Sequence, residues 1–292
     1  PFHTASWNHS QLMPAESAAA GFPFATRNLE NSRGIVYGED SRTSTPILLN
    51  RFTWSSHSMA RMGTVGSGKS YATKLEIIRS WLAFDDLHII IVDPKKEYSH
   101  LVRRLNGTVE TVDSHSDVDR LSFNNLVHGI QVSERGQEEN ADVLAHTVQK
   151  IYSATSQHSR KTLVVVDEAR ILLNDDRGLR VLNDFVLEAR DKNTAVTLVT
   201  QNASHFTHNR LGREILDNMP AKAFMRHERV PDSVVDYFRL SREEKQQILG
   251  LKTGDGSRYS EAVLKVSNRI DAKLNIESTG VEDAVISQGE KG

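Results

Sequence analysis

The sequence predicts an α/β fold in which a mostly parallel sheet carries helices on both faces. Three observations predict it. Short apolar runs (His88–Asp93, Thr162–Val166 and Ala195–Thr200) have the length and β-branched content of strands buried on both sides. Segments with helical spacing separate them, as in βαβ units. A glycine-rich run, Gly63-Thr64-Val65-Gly66-Ser67-Gly68-Lys69-Ser70, lies where one strand should give way to a helix.

Residues 1–33 are mostly polar, broken at Ala18–Gly21 and Pro23, and read as a tail or linker. Ile35–Tyr37 and Pro46–Phe52 read as short strands across the turn-rich stretch Gly38–Ser44. Ser58–Met62 should be the strand feeding the glycine-rich run, although it is more polar than a central parallel strand normally is. Helical spacing then runs from Lys69 to about Phe84, with Leu75, Ile78, Trp81 and Leu82 on one face. After the His88–Asp93 strand, Pro94 forces a stop, and Glu97–Leu105 forms a short helix with Gly107 beyond it. Glu134–Tyr152 is amphipathic, and Leu179–Ala189 is a helix between the second and third apolar strands. Ser241 and Glu244 make a capping box for a helix ending near Leu249, with Gly250 beyond. Arg258–Val266 alternates as a late strand. The expected organisation is therefore a tail (1–33), one domain (34–270) and a C-terminal tail (271–292).

Composition sets outer limits. The chain has 292 residues, 25% charged and 38% hydrophobic, which suits a globular domain with an ample core. A net charge of −2 provides no global basic field, so contact with nucleic acid would need a local patch or an oligomeric pore. Without cysteine there is no disulfide, thiolate–metal or cysteine-nucleophile chemistry, as suits a reducing compartment. The apolar runs are too short to span a bilayer, and no signal-peptide pattern appears. The chain starts at Pro1, as expected of a piece of something longer.

The run at 63–70 fits G-x-x-x-x-G-K-S, the phosphate-binding P-loop. Gly63, Gly66 and Gly68 let the backbone curl its N–H groups toward phosphates, with Thr64, Val65 and Ser67 between them. Lys69 would reach the β- and γ-phosphates, Ser70 would coordinate Mg²⁺, and Tyr71 continues the loop into the helix, whose N-terminal end favours anions. Leu163–Val166 followed by Asp167 and Glu168 is a strand delivering carboxylates to that loop. Asp167 would hold Mg²⁺, and Glu168 would act as general base toward water. A solvated strand end would also carry acids; the loop about 100 residues upstream favours the metal reading. Glu97, after the strand ending at Asp93, is the competing base. Gln201 closes the third strand and can sense the γ-phosphate. Arg190 ends a helix, where a cation suits the helix dipole; its sharper reading is an arginine finger reaching a neighbouring subunit, with Arg170, Arg213 and Arg226 as rivals. His205-x-x-His208 lacks a third ligand. No Asn/Thr-Lys-x-Asp pattern follows the acidic strand, so ATP rather than GTP is expected.

The ordered set GTVGSGKS, IIIVDPKKEY, LVVVDEA, LEARDKN and LVTQN resembles the ATPase domain of the HerA/FtsK superfamily. Within it, the likeness is greatest to the conjugative-transfer ATPases of type IV secretion systems (TraC-type). Phe22-Pro23-Phe24 and Gly34–Gly38 look like the lead-in to that domain, and the likeness spans roughly residues 22–266. The chain departs from it at Arg190-Asp191, where Arg-Lys is frequent, and at Asn124-Asn125, where Asn-Pro is frequent. The resemblance implies a RecA-like P-loop NTPase fold with ATP and Mg²⁺ as cofactors. It implies a homohexameric motor driving conjugation or secretion, with secretion-complex components at the membrane as partners and DNA as a further one. It also implies a cytoplasmic location, peripheral to the membrane.

Overall fold

The computed structural model describes residues 34–287 apart from 134–136, 158, 255–256 and 268. The expected N-terminal tail lies outside the described residues. Eleven strands form one sheet: β1 (Ile35–Asp40), β2 (Pro46–Leu49), β3 (Met59–Met62), β4 (His88–Val92), β5 (Thr108–Val112), β6 (Val127–Val132), β7 (Thr162–Val166), β8 (Thr194–Thr200), β9 (Ala221–Phe224), β10 (Ser260–Val266) and β11 (Ile270–Ile276). The helices are α1 (Lys69–Ala83), α2 (Ser99–Arg104), α3 (His115–Arg120), α4 (Gln137–Thr155), α5 (Arg170–Leu173), α6 (Asp176–Glu188), α7 (Ser204–Thr207), α8 (Arg210–Asp217), α9 (Asp232–Phe238), α10 (Arg242–Leu249) and α11 (Gly280–Ser287).

The strand order is β2-β1-β11-β10-β9-β3-β8-β7-β4-β6-β5. From β9 to β5 every pairing is parallel; from β2 to β9, through β10, every pairing is antiparallel. The central parallel strands β3, β8, β7, β4 and β6 are buried on both faces, whereas the edge strand β5 is only partly covered. Ile90, Val92, Val164 and Val166 meet α3 to α10 on one side, while Ile89, Ile91, Leu163 and Val165 meet α1, α2 and α11 on the other.

Several boundaries shift for local reasons. The second strand stops at Leu49, because the Asn50 side chain accepts from the Phe52 N–H and turns the chain into a short 3₁₀ helix at Arg51–Thr53. The helix expected from Glu97 starts at Ser99, because the Asp93 carboxylate takes the N–H groups of Glu97 (2.9 Å) and Tyr98 (2.9 Å). Residues 271–287, expected as a tail, carry most of β11 and all of α11. Ala272, Leu274 and Ile276 alternate into the core while Asp271 stays exposed.

The polar strand β3 finds its explanation in α1. Arg61 is buried in that strand, where Nη2 donates to Glu76 Oε2 (2.9 Å) and Nη1 to Thr73 Oγ1 (2.5 Å). Arg51 meets Glu76 Oε1 and also donates to Thr197 Oγ1 (2.7 Å) and Val196 O (2.8 Å). The Tyr37 hydroxyl donates to the same carboxylate (3.0 Å). One buried acid thus fastens β1, β3, β8 and α1 together directly behind the glycine-rich loop.

Candidate functional site

The glycine-rich loop follows β3 at the carboxyl end of the parallel strands, where α/β sheets bind ligands. Gly66 (φ 76°) and Gly68 (φ 88°) hold left-handed backbone that a side chain would strain. A Cβ on Gly63 would fall 2.8 Å from both Met225 Cβ and Ser67 Oγ, so the loop's entry is packed shut. The loop is tied to both neighbouring strands: Gly63 N–H donates to Thr200 O (3.2 Å) and Thr64 N–H to Arg226 O (2.8 Å). No side chain caps the start of α1, so its first backbone N–H groups remain available to an anion.

Lys69 Nζ donates to Thr64 O (2.7 Å). Burial lowers its proton affinity, and the like charge of Lys95 adds to this, so its pKa falls to about 8 despite Asp167, Glu168 and Glu97 nearby. Ser70 and Tyr71 line the same cavity. The Tyr71 hydroxyl is committed elsewhere, to Ser278 Oγ (2.5 Å) and Asp283 Oδ1 (2.9 Å).

Asp167 and Glu168 follow β7, which is separated from the loop strand by β8. The Asp167 carboxylate is buried. Its Oδ1 accepts from the Glu168 N–H (2.7 Å), whereas Oδ2 is buried without a hydrogen bond of ordinary geometry. Burial pushes this carboxyl up to about 6. An orphaned, buried carboxylate oxygen beside a phosphate loop fits the demand of a hard divalent cation, with the Ser70 hydroxyl as a second oxygen donor.

Glu168 adopts left-handed backbone (φ 50°), a conformation that non-glycine residues adopt at a cost and that clusters at functional sites. Its carboxylate accepts from Lys95 Nζ (2.5 Å) and Gln201 Nε2 (2.7 Å) and pairs with Arg170 Nε. Burial alone would raise its pKa; the Lys95 and Arg170 contacts outweigh it and hold the carboxyl below the usual range. Gln201, leaving β8, therefore stands between the loop strand and the acidic strand. Glu97 lines the cavity but is exposed and lies one strand farther on, after β4.

The cavity holds about 590 Å³, within the range of small-ligand sites. It brings together Val65, Gly66, Gly68, Lys69, Ser70, Tyr71, Asp167 and Glu168. It does not include Arg190, which is exposed and precedes β8 at the opposite end of the sheet, where it adds to burial and Arg51 in lowering the pKa of His57. Arg170, a rival for the finger role, is bound to Glu168 instead. Sequence reasoning missed Lys95 as a partner of Glu168. Its signal was positional: β4 and β7 end side by side, and Lys95 stands as far past β4 as Ala169 past β7.

Among solved structures, VirB4 of Thermoanaerobacter pseudethanolicus superposes with a TM-score of 0.76 at 14% identity, covering 88% of this chain and 100% of that one. The genome packaging NTPase B204 of Sulfolobus turreted icosahedral virus 2, in complex with ATP-gammaS, gives 0.52 at 18% identity, over 79% of this chain and 100% of that one. The cytoplasmic domain of the type VII secretion ATPase EccC of Thermomonospora curvata gives 0.54 at 16% identity, over 89% of this chain and 27% of that one. These likenesses are of fold. No curated protein sequence matches the chain. The family model described as "Helicase HerA, central domain" matches residues 35–251, most of the chain and all of the loop, acids and glutamine just described; the chain belongs to this HerA family of P-loop ATPases.

Proposed function

We propose that this domain is the Mg²⁺-dependent ATP-hydrolysing motor of a homohexamer that energises conjugative DNA transfer or type IV secretion. The observation that carries the reading is the convergence of Lys69, Ser70, Asp167 and Glu168 on one cavity at the strand ends, with Gln201 bonded to Glu168. The VirB4 likeness, which runs the full length of that chain, supports the secretion side.

Lys69 and the loop amides would hold the phosphates, and Ser70 and Asp167 would hold Mg²⁺. The ion, when bound, neutralises charge developing on the phosphates. Glu168, kept ionised by Lys95 and Arg170, accepts the proton of the attacking water. Gln201 donates to Glu168, which supports a role in coupling the γ-phosphate to the base. Arg190, at the far end of the sheet, suits a finger that completes the site of the next subunit. Among the described residues, no helix is long and apolar enough to cross a membrane.

Glu168→Gln should keep ATP affinity while turnover falls about 10²- to 10⁴-fold, and Lys69→Ala should abolish turnover. If Glu97→Gln rather than Glu168→Gln gives the first result, the base is Glu97. Wild-type turnover by Lys69→Ala would remove the ATPase assignment. The family match favours a second reading, a HerA-type duplex DNA translocase. Hydrolysis accelerated by duplex DNA but not by secretion-complex components would select it.

A further inference from the structure

The cavity extends past the phosphate loop to a wall that the established motifs do not account for. Lys69, Asp167 and Glu168 mark its γ-phosphate end. The other end is walled by Ser257, Tyr259, Ser260 and Ile276, together with the Tyr71 side of α1. Apart from Tyr71, these residues lie beyond the segment shared with the family, which ends at residue 251.

The wall is built rigidly. Ser260 opens β10 and stands opposite Ile276, the last residue of β11, in the antiparallel register. The β10 strand also pairs with β9, which pairs with the loop strand β3, so the hairpin belongs to the same sheet as the loop. Ser260 packs directly on the loop: a Cβ on Gly68 would lie 3.0 Å from its Cβ and its Oγ. Ser260 is only 4% exposed, yet its hydroxyl has no hydrogen-bond partner. A buried hydroxyl without a partner, on a residue that lines the cavity, is an unmet demand that a ligand can satisfy. Next to it, Tyr259 is steadied by Lys252, whose ammonium donates to the phenol oxygen (3.2 Å) and sits 5.2 Å from the ring centroid.

We propose that the β10–β11 hairpin forms the nucleoside half of the site. Tyr259 and Ile276 pack against the base, and the Ser260 hydroxyl bonds the sugar and α-phosphate end of the nucleotide. The assignment rests on the reading that the loop holds the phosphates of a nucleoside triphosphate. Such a site recognises the organic part of the nucleotide with residues that the phosphate loop does not provide, and an aromatic face tolerates any base while rejecting a bare polyphosphate.

The test compares binding of ATP and of inorganic tripolyphosphate, both with Mg²⁺, to the full chain by calorimetry. The wild type should bind ATP at least about tenfold more tightly than tripolyphosphate. Tyr259→Ala should weaken ATP about tenfold and leave tripolyphosphate unchanged, and Tyr259→Phe should restore ATP affinity. Ser260→Ala should weaken ATP several-fold, again with tripolyphosphate unchanged. Retained tripolyphosphate binding shows that the loop is folded in each variant. If Tyr259→Ala weakens both ligands alike, or neither, the hairpin is not the nucleoside subsite. If the wild type binds neither ligand, the phosphate-site reading fails and this proposal fails with it.

Discussion

Glu76→Gln is the most informative single change outside the catalytic constellation. Glu76 is 3% exposed and answers two guanidiniums, Arg51 at 4% and Arg61 at 3%. Burial would push its carboxyl up, but the two arginines outweigh burial and hold it below the usual range. Glutamine preserves the volume, removes the charge and presents an N–H group to a cation. Two buried guanidiniums then face no anion, since their other hydrogen-bond partners are the neutral oxygens of Thr73, Thr197, Val196 and His57 and the Met59 sulfur. Removing one partner of a buried pair costs about 3–5 kcal/mol. At about 2–4 °C per kcal/mol for a domain of this size, a mid-range loss lowers the melting temperature by roughly 8–16 °C. The folded pKa lies below the unfolded one, so the glutamate's contribution is complete above the ordinary carboxylate pKa and is lost as the pH falls through the folded value. The gap between wild type and variant should therefore be widest near neutrality and close in acid. Urea denaturation at several pH values reads both quantities. A loss under about 1 kcal/mol at pH 7, or a gap that does not change with pH, would refute the argument.

Two further outcomes follow from the site's electrostatics. The Asp167 carboxyl titrates near 6 in the fold against an ordinary 3.8, so its ionisation costs stability as the pH rises between those values, by up to about 3 kcal/mol; Asp167→Asn should melt higher than wild type in metal-free buffer at pH 7.5 while losing hydrolysis, and the apparent Mg²⁺ affinity of the wild type should fall as the pH drops below about 6. Lys69 titrates near 8, so phosphate binding should draw a proton onto it: calorimetry at pH 8.5 in buffers of differing ionisation enthalpy should show uptake of up to about three-quarters of a proton, and at pH 6.5 close to none.

The parts of the fold that could be read from the sequence are those with a strong local signature. The β4 and β7 strands hold continuous apolar runs, and β8 is apolar but for its threonines, because both their faces are covered, and the loop motif carries its own backbone requirement in Gly66 and Gly68. The β9 strand escaped notice because it has only four residues, one of them Lys222. The β6 strand is interrupted by His128 and Gly129, the latter pressed against Val102, where a Cβ would lie 3.0 Å from Cγ2. The polarity of β3 looked like a defect because its counter-charge sits fifteen residues away on α1, on a face that apolar spacing alone does not reveal. The same limit hid the grip of Lys95 on Glu168, since contacts between adjacent strand ends depend on strand order and not on spacing along the chain.

The pairing of β1 with β11 has a consequence for how the protein is made. Glu39 and Asp40, near the start of the described chain, find their partners at Asn275 and Leu274, near its end. Until those residues leave the ribosome, β2 is the only strand partner that β1 has among the described residues, and a two-stranded pairing is marginal in water. The long loop is closed by a late, non-local contact, the slow kind of event in folding. During that wait the β1 edge is an open template for other nascent chains. The length of the exposure is set by the pace of translation rather than by any barrier within the finished domain.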